Sequence, residues 1–281
     1  MTKPRRIIDV SSMLEYEIFN STSFIFNIAV AGNERQRVLE ETLEIVPDTE
    51  THWFDLNDEG CRSIRLSAEP GYLKVCYRAT VELSPELGCA PNLGEVPHRE
   101  LPVEVLPYLN PSRYCESDRL ARFAWKEFGG LASGYERVNS ICDWVNDCID
   151  YQAGSTDASS SACDVLLQRA GVCRDFAHVG VALCRALGLP ARYVSGYSVG
   201  LEPPDFHGFF EVYLEDDWYL FDPTRMAPVN GFVRIGLGRD AADAPFANIV
   251  GYAILCNMSV TAMARGGESL PDSGKSAVSS A

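Results

Sequence analysis

The stretch Gly171-Val172-Cys173-Arg174-Asp175-Phe176-Ala177-His178, and the chain from there to Pro190, constrains this sequence more than any other part of it. From Cys173 on, Phe176, Val179, Gly180, Leu183 and Leu187 recur at helical spacing and make one apolar stripe. Gly188 supplies a C-terminal stop, and Pro190 blocks continuation. Gly171 stands just ahead, where a close approach calls for a residue without a Cβ. The spacing therefore predicts a helix with Cys173 in its first turn. There, free backbone N–H groups and the positive end of the helix dipole favour a thiolate over a thiol. A buried core cysteine is the plainer alternative, and only a nearby base argues against it.

A base follows downstream. Asp205-Phe206-His207-Gly208 leads into the apolar, β-prone run Phe209-Phe210-Glu211-Val212-Tyr213-Leu214, and Glu215-Asp216-Asp217 predicts a turn. Trp218-Tyr219-Leu220-Phe221 then runs back to Asp222-Pro223-Thr224. This pattern predicts a hairpin with His207 at the mouth of one strand and Asp222 at the mouth of the other. Its register, and with it the contact between the two side chains, is left open. A thiol nucleophile, an imidazole to take its proton and a carboxylate to hold the imidazole tautomer form a complete set for acyl transfer. His178 lies on the same helix as Cys173 but is turned about 140° away, so its predicted role is structural. Asp175 can cap that helix or pair with Arg192.

These residues resemble a known family. Gly171-Val172-Cys173-Arg174-Asp175-Phe176-Ala177-His178, then Gly188-Leu189-Pro190-Ala191-Arg192-Tyr193-Val194-Ser195-Gly196-Tyr197, then His207 and Asp222-Pro223-Thr224, look like bacterial transglutaminase-like proteins, a group often described as cysteine proteases. The resemblance implies a papain-like core and a Cys173–His207–Asp222 triad. It further suggests Phe209, Tyr197 and Asp175 as substrate-contacting residues. The family usually carries His-Ala-Trp where this chain has His207-Gly208-Phe209. Gly208 is therefore expected to widen the cleft wall beside the base, with Phe209 offering an apolar face that lacks an indole donor.

Alternating apolar residues fill the first third of the chain: Leu14, Tyr16 and Ile18, then Phe24, Phe26, Ile28 and Val30, then Leu73, Val75, Tyr77, Ala79 and Val81. Period two predicts an antiparallel, half-solvated β domain over 1–84, sandwich-like. Prolines at 85, 91, 97, 102, 107 and 111 predict a surface linker over 85–111. Helices are expected from Ser117, as a cap, to Gly129, from about Tyr135 to Cys148, and over Ala162–Gln168. The Gly- and Ser-rich segment 152–161 is expected to be a flexible approach to the nucleophile. Ile249–Met263 reads as a last strand closing the catalytic sheet, and 265–281 as a disordered tail.

The formal net charge of −15 argues against nucleic acid or an anionic membrane as partners. Ten cysteines occur without a Cys-x-x-Cys, so no zinc site or other metal is expected, nor any cofactor. The absence of a secretory or membrane-spanning apolar run favours a cytoplasmic protein with reduced thiols.

The sequence thus predicts an α+β chain, a transglutaminase-like catalytic domain over 112–264 with helices packed on an antiparallel sheet, behind an N-terminal antiparallel β domain. The expected chemistry is acyl transfer or hydrolysis at a peptide or carboxamide bond of a peptide or protein substrate, through a thioester on Cys173. The Cys173 N–H is one candidate donor to the oxyanion, and no second donor is identifiable. A peptide N-glycanase-like amidase is the close rival, although that chemistry is paired with a cysteine-rich zinc site. A non-catalytic peptide-binding module is the distant one.

Overall fold

The computed structural model describes residues 5–90, 93–266 and 276–280. Its first part is built from β1 (Arg6–Ile18), β2 (Thr22–Phe26), β3 (Gln36–Val46), β4 (Thr51–Asp55), β5 (Arg62–Ala68) and β6 (Gly71–Leu83), followed by the short β7 (Glu86–Cys89). Period two is visible along β1, where Ile8, Val10, Leu14, Tyr16 and Ile18 point inward and their neighbours outward. These side chains meet Phe24, Phe26, Ile64 and Leu66 from the second sheet in one core. The β domain is therefore two antiparallel four-stranded sheets face to face, three strands of each drawn from β1–β6 and the fourth from the C-terminal part of the chain.

Four helices follow: α1 (Ser117–Phe128), α2 (Tyr135–Cys148), α3 (Ala162–Gln168) and α4 (Cys173–Ala186). Two-residue strands β8 (Asp150–Tyr151) and β9 (Ala170–Gly171) flank α3 and pair in parallel. Beyond α4 come β10 (Ala191–Ser198), β11 (Phe206–Leu214), β12 (Asp217–Phe221) and β13 (Phe232–Gly238), which form an antiparallel sheet in the order β12-β11-β10-β13. The helix α4 lies on this sheet, and Gly180 lets it approach closely: a Cβ there would stand 2.6 Å from the Phe210 ring. Helices α1, α2 and α3 cover its other sides, and side chains from Asp175 through Arg185 are buried. This is the expected α+β arrangement.

Several local expectations are corrected. The last long strands, β14 (Ala247–Val250) and β15 (Ala253–Ala264), do not close the catalytic sheet: β14 pairs with β2 and β15 with β1. The segment after them is not wholly a disordered tail, because β16 (Ser276–Ser279) pairs with β7; residues 267–275 lie outside the described residues. Nor is 85–111 only a surface linker. It contains β7, and Leu101 and Val105 are buried against Tyr213 and Trp218. Ser117 is not a cap: Glu116 holds that position without a side-chain cap on α1, and its carboxylate instead accepts from the Ser161 hydroxyl and the Cys163 N–H at the start of α3.

The β-domain core continues into the catalytic sheet through Tyr197, Phe206, Val233 and Ile235. Beside it, buried Glu211 on β11 accepts from Arg192 at 2.6 Å and from Arg234, and Arg192 also reaches Glu59 of the β domain at 2.7 Å. Burial opposes the charge on Glu211, but the two guanidiniums hold its carboxyl below the usual range. Arg192 is thus paired with glutamates rather than with Asp175.

Candidate active site

Cys173 is the first residue of α4, preceded by Val172 in extended conformation. Asp175 makes that start rigid. Its buried carboxylate accepts the Val172 N–H at 3.0 Å, a hydrogen bond from the Thr156 hydroxyl, and two from the Arg174 guanidinium at 2.9 and 2.6 Å. Arg174 also donates to the Asp157 carbonyl at 2.7 Å. The segment 152–161 is therefore tied to the nucleophile's helix rather than loosely approaching it, and Asp175 is a positioning residue with no surface for substrate.

His207 enters from β11, opposite Gly196 of β10, and is fully buried. Its Nε2 lies 2.9 Å from Asp222 Oδ2, while Nδ1 bonds to no other side chain among the described residues and is open to the neighbouring thiol of Cys173. The hairpin turn at Glu215 and Asp216 has φ of 45° and 67°, the left-handed pair that a two-residue return uses. The second oxygen of Asp222 accepts the Thr224 N–H at 2.9 Å and the Thr224 hydroxyl at 2.7 Å. Asn146 of α2 pins the same turn by donating to the carbonyls of Pro223 and Thr224, each at 3.0 Å.

Burial disfavours a charged imidazole at His207, but the Asp222 charge and hydrogen bond, with the Cys173 thiol behind them, push its pKa up to about 10. The His207 ring and the N-terminus of α4 both border the Cys173 sulfur. His178, by contrast, is buried in the helix layer, where its Nε2 accepts the Ala241 N–H at 3.1 Å. Burial, with Arg174 nearby, takes its pKa down to about 3, so it stays neutral.

Two further expected site residues are elsewhere. Tyr197 is buried in the β-domain core, donating to the Ile28 carbonyl at 2.8 Å, with its hydroxyl 3.1 Å from Ser12 Oγ. Phe209 is buried behind His207 against Phe232, with ring centroids 4.1 Å apart, and does not line a cleft. Gly208 does not widen one either. A Cβ there would lie 2.7 Å from the Tyr193 hydroxyl and 3.1 Å from Arg174 Cα, so the glycine admits the nucleophile's helix.

The residue that sequence reasoning missed is Tyr151. Pairing of β8 with β9 sets it opposite Gly171, and Gln152 N–H donates to the Gly171 carbonyl at 2.9 Å. Its hydroxyl reaches the main chain and the thiol of Cys173; burial first, then that thiol, pushes its pKa up, so it remains a hydrogen-bond donor. Its ring centroid lies 5.8 Å from that of Phe176, and the residue is 45% exposed.

Both parts of the chain match known families. Residues 123–223 match the transglutaminase-like superfamily core, and residues 7–101 match the bacterial transglutaminase N-terminal domain. A crystal structure from Cytophaga hutchinsonii, described as a "Putative Cysteine Protease", superposes with a TM-score of 0.94 at 40% identity over 98% of each chain. An uncharacterized protein of Mycobacterium leprae is 27% identical over 230 residues, 75% of this chain and 80% of its own. One of Mycobacterium tuberculosis is 38% identical over 152 residues, which span 49% of this chain and 48% of that protein. With a helix-borne cysteine facing a hairpin histidine and aspartate, behind a matching β domain, this chain belongs to the bacterial transglutaminase-like family.

Proposed function

We propose that the protein is a cysteine acyltransferase or hydrolase acting on a peptide or carboxamide bond of a peptide or protein substrate. The observation that carries this reading is the position of His207, bonded through Nε2 to Asp222 and open at Nδ1 toward Cys173 at a helix start.

In the acylation step the Cys173 sulfur forms a bond to the carbonyl carbon, and the carbonyl π pair moves to oxygen. The Cys173 N–H and the Tyr151 hydroxyl are the proposed donors to that oxyanion. When the tetrahedral intermediate collapses, the C–N bond breaks and the His207 imidazolium delivers its proton to the leaving amine. Water or an amine then attacks the thioester, with neutral His207 taking the proton that the nucleophile loses. Asp222 keeps the imidazole oriented throughout, and Thr224 keeps Asp222 in place.

The test is intact mass of the protein after incubation with a tryptic digest of casein, with and without cadaverine. Peptide-sized adducts on Cys173, absent in Cys173→Ala, are expected. Product peptides carrying cadaverine distinguish transamidation from hydrolysis. A wild-type protein that forms no adduct and alters no peptide contradicts the reading.

A further inference from the structure

Asp205 stands immediately ahead of β11, two positions before His207, and its side chain is exposed where that of His207 is fully buried. The strand thus runs from the rim of the site into its floor. One residue connects the carboxylate to the nucleophile: Asp205 Oδ1 accepts the Phe206 N–H at 2.7 Å, while the Phe206 carbonyl lies 4.0 Å from Cys173 Sγ. This chain of contacts puts the carboxylate within about one Debye length of the sulfur, ~10 Å at ordinary ionic strength.

Arg174, next to the nucleophile, and Arg225, three residues beyond Asp222, are already engaged. Arg174 is bound to Asp175 and the Asp157 carbonyl, and Arg225 to Asp143 and Asn139. Among the described residues no arginine or lysine pairs with Asp205, and its remaining oxygen is open. Neighbouring protein partly covers its carboxyl and pushes the pKa up, against the pull of the Phe206 N–H and His207.

We propose that Asp205 is a specificity-determining residue that selects substrates carrying an ammonium or guanidinium group beside the carbonyl that Cys173 attacks. This inference rests on the acyl-transfer reading and names its substrate class. A cationic side chain reaching the site meets an acid that no arginine or lysine among the described residues neutralises, and an acidic one meets repulsion.

The experiment uses peptidyl vinyl sulfones with Lys, norleucine or Glu next to the electrophile, and follows adduct formation at Cys173 by mass. The wild-type protein should react faster with the Lys probe than with the norleucine probe by about fivefold, the size of a rim ion pair, and slowest with the Glu probe. Concentrated NaCl should compress these ratios. Asp205→Asn should bring them close to one, and Asp205→Glu should retain the order. Each ratio is taken within one protein, so any effect on the thiol itself cancels. Equal ratios in wild type and Asp205→Asn overturn the inference while leaving acyl transfer standing. A wild-type Cys173 that reacts with none of the probes overturns the acyl-transfer reading, and the inference with it.

Discussion

His207 Nε2 and Asp222 Oδ2 lie 2.9 Å apart at the end of a hairpin, both buried, with the second Asp222 oxygen held by the main chain and hydroxyl of Thr224. Two strands and a two-residue turn deliver this contact. The carboxylate has no freedom to do anything but accept from the imidazole. In that geometry it fixes which ring nitrogen faces Cys173, so the aspartate acts through the histidine.

Replacing Asp222 with Asn should therefore lower the rate of the chemical step by about 10⁴, as tautomer-disrupting changes do in serine triads, with substrate binding retained. It should also drop the His207 pKa from about 10 to below the ordinary imidazole value, because burial remains and the opposing charge is gone. Folding raises this pKa above its unfolded value of 6.5. The pair's contribution to stability is then full below that value and is lost as pH rises through about 10. Urea unfolding across this window, with NMR titration of His207, should show that dependence in the wild type and not in Asp222→Asn.

Tyr151→Phe removes only a hydroxyl. If that hydroxyl donates to the oxyanion, kcat should fall by about 10²–10³ with little change in KM. Alkylation of Cys173 by iodoacetamide, which builds no oxyanion, should persist. A variant with wild-type kcat would show that the second donor lies elsewhere.

Gly208→Ala tests whether the glycine serves packing or cleft shape. The added Cβ meets the Tyr193 hydroxyl at 2.7 Å and the Arg174 backbone at 3.1 Å, so the start of α4 must shift. Overpacking of this kind costs about 1–3 kcal/mol. Lower thermal stability together with slower Cys173 alkylation is expected. Unchanged stability with altered substrate preference would support a cleft-wall role instead.

The parts of the molecule legible in the sequence are those written in local pattern. The start of α4 at Cys173, its end near Gly188, and the hairpin between His207 and Asp222 follow from 3.6-residue periodicity, stop residues and a turn. The parts that were not legible depend on distant pairing. Alternation in Ala253–Ala264 marks a strand but not its partner, and nothing local says that it pairs with β1 across most of the chain. Ser276–Ser279 reads as a polar tail because main-chain pairing with β7 holds it. Phe209 and Tyr197 were misplaced for a different reason. Strands β10 and β11 are buried on both faces, so they carry no alternation to say which side chains face the site. Tyr151 was invisible because a two-residue parallel pair with Gly171 brings it to Cys173.

The account's central claim is that Cys173 alone among ten cysteines is an activated nucleophile. Burial pushes the thiols of Cys61, Cys115, Cys142, Cys163 and Cys184 up, while Cys89 and Cys256 are exposed. The direct measurement is brief reaction with limiting iodoacetamide at about pH 6, where an ordinary thiol is protonated, followed by peptide mapping. The account predicts a single adduct on Cys173, lost in His207→Ala. Adducts on Cys89 and Cys256 with Cys173 reacting no faster, or Cys173 labelling that survives unchanged in His207→Ala, would contradict it.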